Sequence, residues 1–261
     1  MLKLPLVITL ASLVLTGCQT TSHSDALTPE QAQANAQQRQ RFEALMSNVL
    51  RKAAGRNNTQ DLSGSFNLVM RVDRDNQVVG CGTQPNKKLD PKLYPYNPTL
   101  AAQLRSICWT QVLPPVPASL FNSEENVVKV VAPVVVYPLG GLNAEQRSMR
   151  NAILQRTEQN DFLYARLIAP QPVDSIGVAT LVLMSDSSGH VKECAASLGP
   201  HSLRPQAFKQ DDALLGGLIS RCKQLNISAM PGFVANANGM TSIVNRIEYT
   251  PWKAGLKPAA N

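Results

Sequence analysis

Residues 68–81 read LVMRVDRDNQVVGC, and residues 181–194 read LVLMSDSSGHVKEC. The two segments align without a gap at an offset of 113 residues, with five identities in fourteen positions. In each, an apolar run enters a cluster of short polar residues and a second run ends in cysteine. Apolar–polar alternation marks half-buried strands, and the clusters DRDNQ and SDSSGH supply residues that tolerate tight turns, so each segment predicts a hairpin. Asp73 and Asp75 also resemble the opening of a calcium loop. The second copy carries Asp186 and Ser188 there and no downstream glutamate completes the pattern, which favours turn chemistry.

The flanks extend the correspondence. Thr28–Gln31 (TPEQ) is a capping box with proline at the first helical position, and Phe42, Leu45, Met46, Val49, Leu50 and Ala53 follow at helical spacing. Asn143–Gln146 (NAEQ) opens a similar helix through Met149 and Ile153 that is less cleanly amphipathic. After each hairpin a helix bears a second cysteine. Asn97 and Pro98 open the first, with Leu100, Leu104 and Cys108 on one side. Asp211 or Asp212 caps the second, with Leu214, Leu215, Leu218, Ile219 and Cys222 inward. Proline-bearing exits (LPPVPA, ISAMPG) lead to closing strands from Asn126 and Met240, each stopping at a proline, Pro138 or Pro251. The expected fold is α+β: two tandem domains, 28–139 and 140–261, each a small antiparallel sheet of about three strands with helices on one face. The linker YPLGGL is short, so the domains should lie side by side.

The chain has 261 residues, 44% of them apolar, enough for two cores of ordinary domain size. A formal charge of +7 favours anionic partners. The start, MLKLPLVITLASLVLTGC, places one cation before an apolar stretch too short to span a bilayer. Its ending, Leu15-Thr16-Gly17-Cys18, resembles the bacterial lipoprotein signal. That resemblance implies a signal peptide at 1–17, cleavage before Cys18 and lipid on Cys18, with Gln19 favouring the outer membrane. Residues 18–27 then form a flexible tether. The body would face the periplasm, where nucleic acid is no partner.

Setting Cys18 aside leaves Cys81, Cys108, Cys194 and Cys222, spaced by 27 and 28 residues at matching places in the two halves. In an oxidising compartment such an even set reads as disulfides, Cys81–Cys108 and Cys194–Cys222. The rival is a zinc site from His190, His201, Cys194 and Cys222, but the first half has no histidine to match.

A hairpin ending in Cys, a helix bearing Cys, a PxP exit and one closing strand resemble the TonB/TolA C-terminal-domain group. The likeness covers about residues 40–138, carried by NLVMRVDRDNQVVGC, LRSIC and LPPVP. It covers about 144–252 again, carried by TLVLMSDSSGHVKEC and LISRC. It implies a module that docks envelope proteins, often through β-strand addition. The chain departs from the group in its lipid anchor, its lack of a long stalk and its doubled domain. The expected docking strand is Val127, Val128, Lys129, Val130, Val131, Pro133, Val134, Val135 and Val136, because a proline confines such a strand to a sheet edge or bulge. Alternatively the valines fill the core and Pro133 merely guards the edge.

No glycine loop for phosphates and no nucleophile elbow occurs, and no cofactor or resident metal is expected. Ser220 and Lys223 have the Ser-x-x-Lys spacing of some acyl-enzymes, yet lie on the cysteine helix without a counterpart in the first copy. A non-enzymatic docking lipoprotein is the leading expectation. A binder of anionic envelope polymer (lipopolysaccharide or peptidoglycan) comes next, and an envelope hydrolase last.

Overall fold

A computed structural model describes residues 27–121, 126–236 and 239–253. The expected signal peptide, the lipid-bearing Cys18 and all but the last residue of the tether lie outside the described residues. No helix among the described residues is long and apolar enough to cross a membrane.

The capping box forms as read: Thr28 Oγ1 accepts from Gln31 N at 3.2 Å, and Gln31 Oε1 accepts from Thr28 N at 2.9 Å. It starts α1 (Pro29–Asn57), whose Phe42, Met46, Leu50, Ala53 and Ala54 are buried. The hairpin β1 (Gly64–Asp73) and β2 (Val78–Gln84) follows, then the short helices α2 (Pro98–Leu104) and α3 (Ile107–Thr110), and β3 (Val127–Val136). The second unit repeats the order with α4 (Ala144–Leu163), β4 (Gly177–Asp186), β5 (Val191–Pro200), α5 (Asp212–Lys223) and β6 (Met240–Tyr249). The described residues hold two separate antiparallel three-stranded sheets, ordered β2-β1-β3 and β5-β4-β6.

The offset read in the hairpins persists. β4 and β6 begin and end 113 residues after β1 and β3. Each hairpin has a bulge at the matching place, Arg71/Val72 and Met184/Ser185. Asn76 and Gly189, again in register, adopt positive φ of 59° and 84° to close the two turns. One face of each central strand feeds a core: Phe66, Leu68, Met70 and Val72 in the first, Ala179, Leu181 and Leu183 in the second. The helices pack on that face.

Two features differ from the sequence reading. The first cysteine helix is broken at Arg105–Ser106. Ser106 Oγ donates to Gln103 O at 3.1 Å, and a polar side chain bonding its own backbone competes with helix continuation. In the second unit Met149 and Ile153 do not face inward: they are 61% and 45% exposed. The buried face begins only at Leu163 and continues through a π-helical turn, Tyr164–Ile168, in which Ala169 N donates to Tyr164 O at 3.0 Å. The one-residue widening turns Tyr164, Leu167 and Ile168 into the core.

The units touch at two seams. Arg150 on α4 pairs with Asp61 and donates to Asn58 O at 2.7 Å. Arg204 donates to Asn76 O and Asp75 O, each at 3.2 Å, gripping the turn of the first hairpin.

Candidate functional site

Both expected disulfides form. Cys81 on β2 bonds Cys108 on α3 across a Cα separation of 6.2 Å, and Cys194 on β5 bonds Cys222 on α5 across 6.1 Å. Each staples a helix to the second hairpin strand. The zinc alternative loses its sulfur ligands to these bonds. His190 is engaged instead with the turn: its Nδ1 lies 2.8 Å from Ser188 Oγ and its Nε2 3.3 Å from Asn226 Nδ2. His201 lies 3.5 Å from Glu248, on the opposite edge strand of its sheet.

Asp186 behaves as a turn residue. Its Oδ1 accepts from Ser188 N, Ser188 Oγ and His190 N at 2.7–3.0 Å, and Lys192 Nζ sits 2.9 Å from Oδ2. The Ser188 hydroxyl first, and Lys192 next, hold its carboxyl well below the usual range. Asp73 plays the same part in the first turn, accepting from Gln77 N at 2.8 Å. Ser220 and Lys223 are both exposed at the end of α5, with no hydrogen bond between them among the described residues.

The valine strand is an edge strand, as its proline requires. Its residues divide by parity. Val128, Val130, Ala132, Val134 and Val136 pack toward the core, while Val127, Lys129, Val131, Pro133 and Val135 form the other row. Lys129, Val131 and Pro133 are exposed, Val131 by 46%. Pairing with β1 runs unbroken past Pro133, opposite Asn67. The second unit treats its corresponding edge differently: Arg156 of α4 donates to Val244 O on β6 at 2.7 Å and to Asn245 Oδ1 at 3.3 Å. Among the described residues no α1 side chain caps β3 in this way.

A feature unread in the sequence lies between the units, a cleft of about 570 Å³. One wall is the exposed face of α4, with Met149, Ala152, Ile153 and Arg156. The floor is the end of β6 with Arg246 and Glu248. The far side is the end of α1, with Arg56, and the end of α3. Lys253 lies 4.2 Å over the Tyr164 ring. Burial pushes the Lys253 ammonium below its ordinary range against the pull of Asp161 and Glu248. Burial likewise raises the Asp161 carboxyl, which Lys253 opposes, and raises the Tyr164 phenol to about 12. Arg56, Arg156 and Arg246 have no carboxylate within ion-pair distance among the described residues, since the pairs formed use other cations. The three arginines are scattered along the chain, and each reads alone as a surface cation. The exposed pair Met149 and Ile153, one turn apart on an otherwise polar helix, was the only legible sign.

No group of three or more His, Cys, Asp or Glu among the described residues is placed to hold a metal ion. No family model, curated protein or solved structure matches the chain.

Proposed function

We propose that this chain is a non-enzymatic outer-membrane lipoprotein, anchored through lipid on Cys18 and facing the periplasm, whose two tandem units dock envelope proteins. The observation that carries the proposal is the edge strand β3. Lys129, Val131 and Pro133 are exposed along it, and no α1 side chain among the described residues caps its backbone as Arg156 caps β6. An uncapped edge offers backbone donors and acceptors to an added strand, and an alternating side-chain row gives selectivity. The Cys81–Cys108 disulfide braces the unit behind it, and with Cys194–Cys222 in the second unit it suits an oxidising compartment. The sequence likeness to the TonB/TolA group points the same way.

The test is a photo-crosslinking residue at Val131 in intact cells, with the exposed central-strand position Val182 as control. Docking at β3 predicts one defined envelope protein captured at Val131, at a yield that falls when a charge is placed at Val135. Equal capture at both positions, or recovery of bulk lipoproteins alone, overturns it. Intact mass before and after reduction tests the lipid on Cys18 in the same preparation.

A second reading, binding of anionic envelope polymer, is favoured by the formal charge of +7. Its signature is binding that weakens steadily with salt, because surface charges are screened beyond about 8 Å at physiological ionic strength. Strand addition through backbone hydrogen bonds is far less sensitive to salt.

A further inference from the structure

The inter-unit cleft has a composition that docking at β3 does not use, and it lies on elements other than β3. Its volume of about 570 Å³ lies in the range of pockets that enclose small ligands, roughly 300–1,000 Å³, and such pockets concentrate between domains. Its chemistry is divided. Met149, Ala152 and Ile153 present an apolar strip from successive turns of α4, with Met149 and Ile153 well exposed. Arg56, Arg156 and Arg246 bring three guanidinia to the same space from three different elements.

The charge does not cancel locally. Arg56, Arg156, Arg246 and Lys253 face only two carboxylates, Asp161 and Glu248. Glu248 is already paired with His201 at 3.5 Å. Among the described residues neither the Arg56 nor the Arg246 guanidinium donates a hydrogen bond, and Arg156 uses one terminal nitrogen for both of its bonds to β6. Guanidinia with unspent donors hold carboxylates and phosphates in forked geometry. Along α4 only Leu163 is buried, so Met149 and Ile153 serve no core and face the open cleft instead.

We infer that the cleft between the two units binds a small single-headed anionic amphiphile, its head on Arg56, Arg156 and Arg246 and its apolar body along Met149, Ala152 and Ile153. Recognition requires both halves of the site. A neutral amphiphile leaves the guanidinia unsatisfied, and an inorganic anion leaves the apolar strip wet. Because Arg56 belongs to the first unit and the rest to the second, the bound ligand bridges the units.

The full chain carrying Cys18→Ser, free of lipid and detergent, is labelled at its methionine methyls and titrated with octanoate, octyl phosphate, 1-octanol and inorganic phosphate. Octanoate and octyl phosphate separate a carboxylate head from a phosphate head, and saturable binding of either supports the site. The expected result is a saturable shift of the Met149 methyl. The buried Met46, Met70 and Met230 stay fixed and report that the fold is intact. Octanol and inorganic phosphate should bind at least tenfold more weakly. The double variant Arg56→Gln/Arg246→Gln should weaken the anionic amphiphile at least tenfold and leave octanol unchanged. Equal affinity for octanol and octanoate overturns the inference, as does an unmoved Met149 methyl. Shifts of equal size at Met184 would mean adsorption without a site and also overturn it.

Discussion

The Arg204 guanidinium crosses from the second unit to donate to Asp75 O and Asn76 O, with its carbon 5.7 Å from the Trp252 ring. Burial lowers its pKa and nearby Asp73 opposes the shift, so a positive group is held where little water can reach it. Arg204→Ala should cost roughly 2 kcal/mol, the range for hydrogen bonds made by a charged donor. Arg204→Lys should recover less than half of that, because an ammonium cannot span two carbonyls as a fork does. Urea midpoints of the three proteins check this. Glu248 gives a pH dependence. The hydrogen bond with His201 is the largest cause holding its carboxyl below the ordinary 4.5. A carboxyl depressed in the folded state adds stability above its unfolded pKa and loses it as pH falls through the lower folded value. Glu248→Gln should therefore melt below the parent at neutral pH, and the gap should close as pH falls below about 4.

At the scale of elements, the strands were legible and the helices less so. Strands declare themselves through alternation, and a one-residue slip would turn Phe66, Leu68 and Met70 out to water, so the hairpins had one acceptable register. The cysteines were legible because their spacing repeats at matching places in two aligned halves, which admits few pairings. The break between α2 and α3 was not, since it depends on Ser106 bonding backwards, which no periodicity shows. Nor was the π-helical turn, where one extra residue re-aims Tyr164, Leu167 and Ile168. The parity of β3 makes a sharp test. Val131→Lys, on the exposed row, should change stability by no more than about 0.5 kcal/mol, whereas Val134→Lys should prevent folding. Thermal melts distinguish them. Replacing Cys81 and Cys108 by alanine should cost the first unit roughly 3–4 kcal/mol in the chain-entropy picture. Hydrogen exchange should then speed up in β1 and β2 while β4 and β5 keep their protection.

At the scale of the molecule, the cleft escaped the sequence for a physical reason. It is assembled from Arg56, Arg156 and Arg246, which meet because α1 packs on α4 and Arg150 and Arg204 bond across to the first unit. Sequence patterns report what an element buries in its own domain and carry no record of how two domains face each other. The likeness of the halves is likewise strongest where each serves its own core and weakest where they meet. α1 hides its apolar face, and α4 holds part of its own in the open.

The hairpin turns draw that asymmetry to a close. In the first unit the carbonyls of Asp75 and Asn76 are handed to the neighbour's Arg204. At the matching positions of the second, Ser188 O takes a hydrogen bond from Asn226 and Gly189 O takes one from Ile227, both in the same unit. One copy keeps a socket and the other has filled its own. The same turn, written twice, is thus held by a neighbour in one unit and from within in the other.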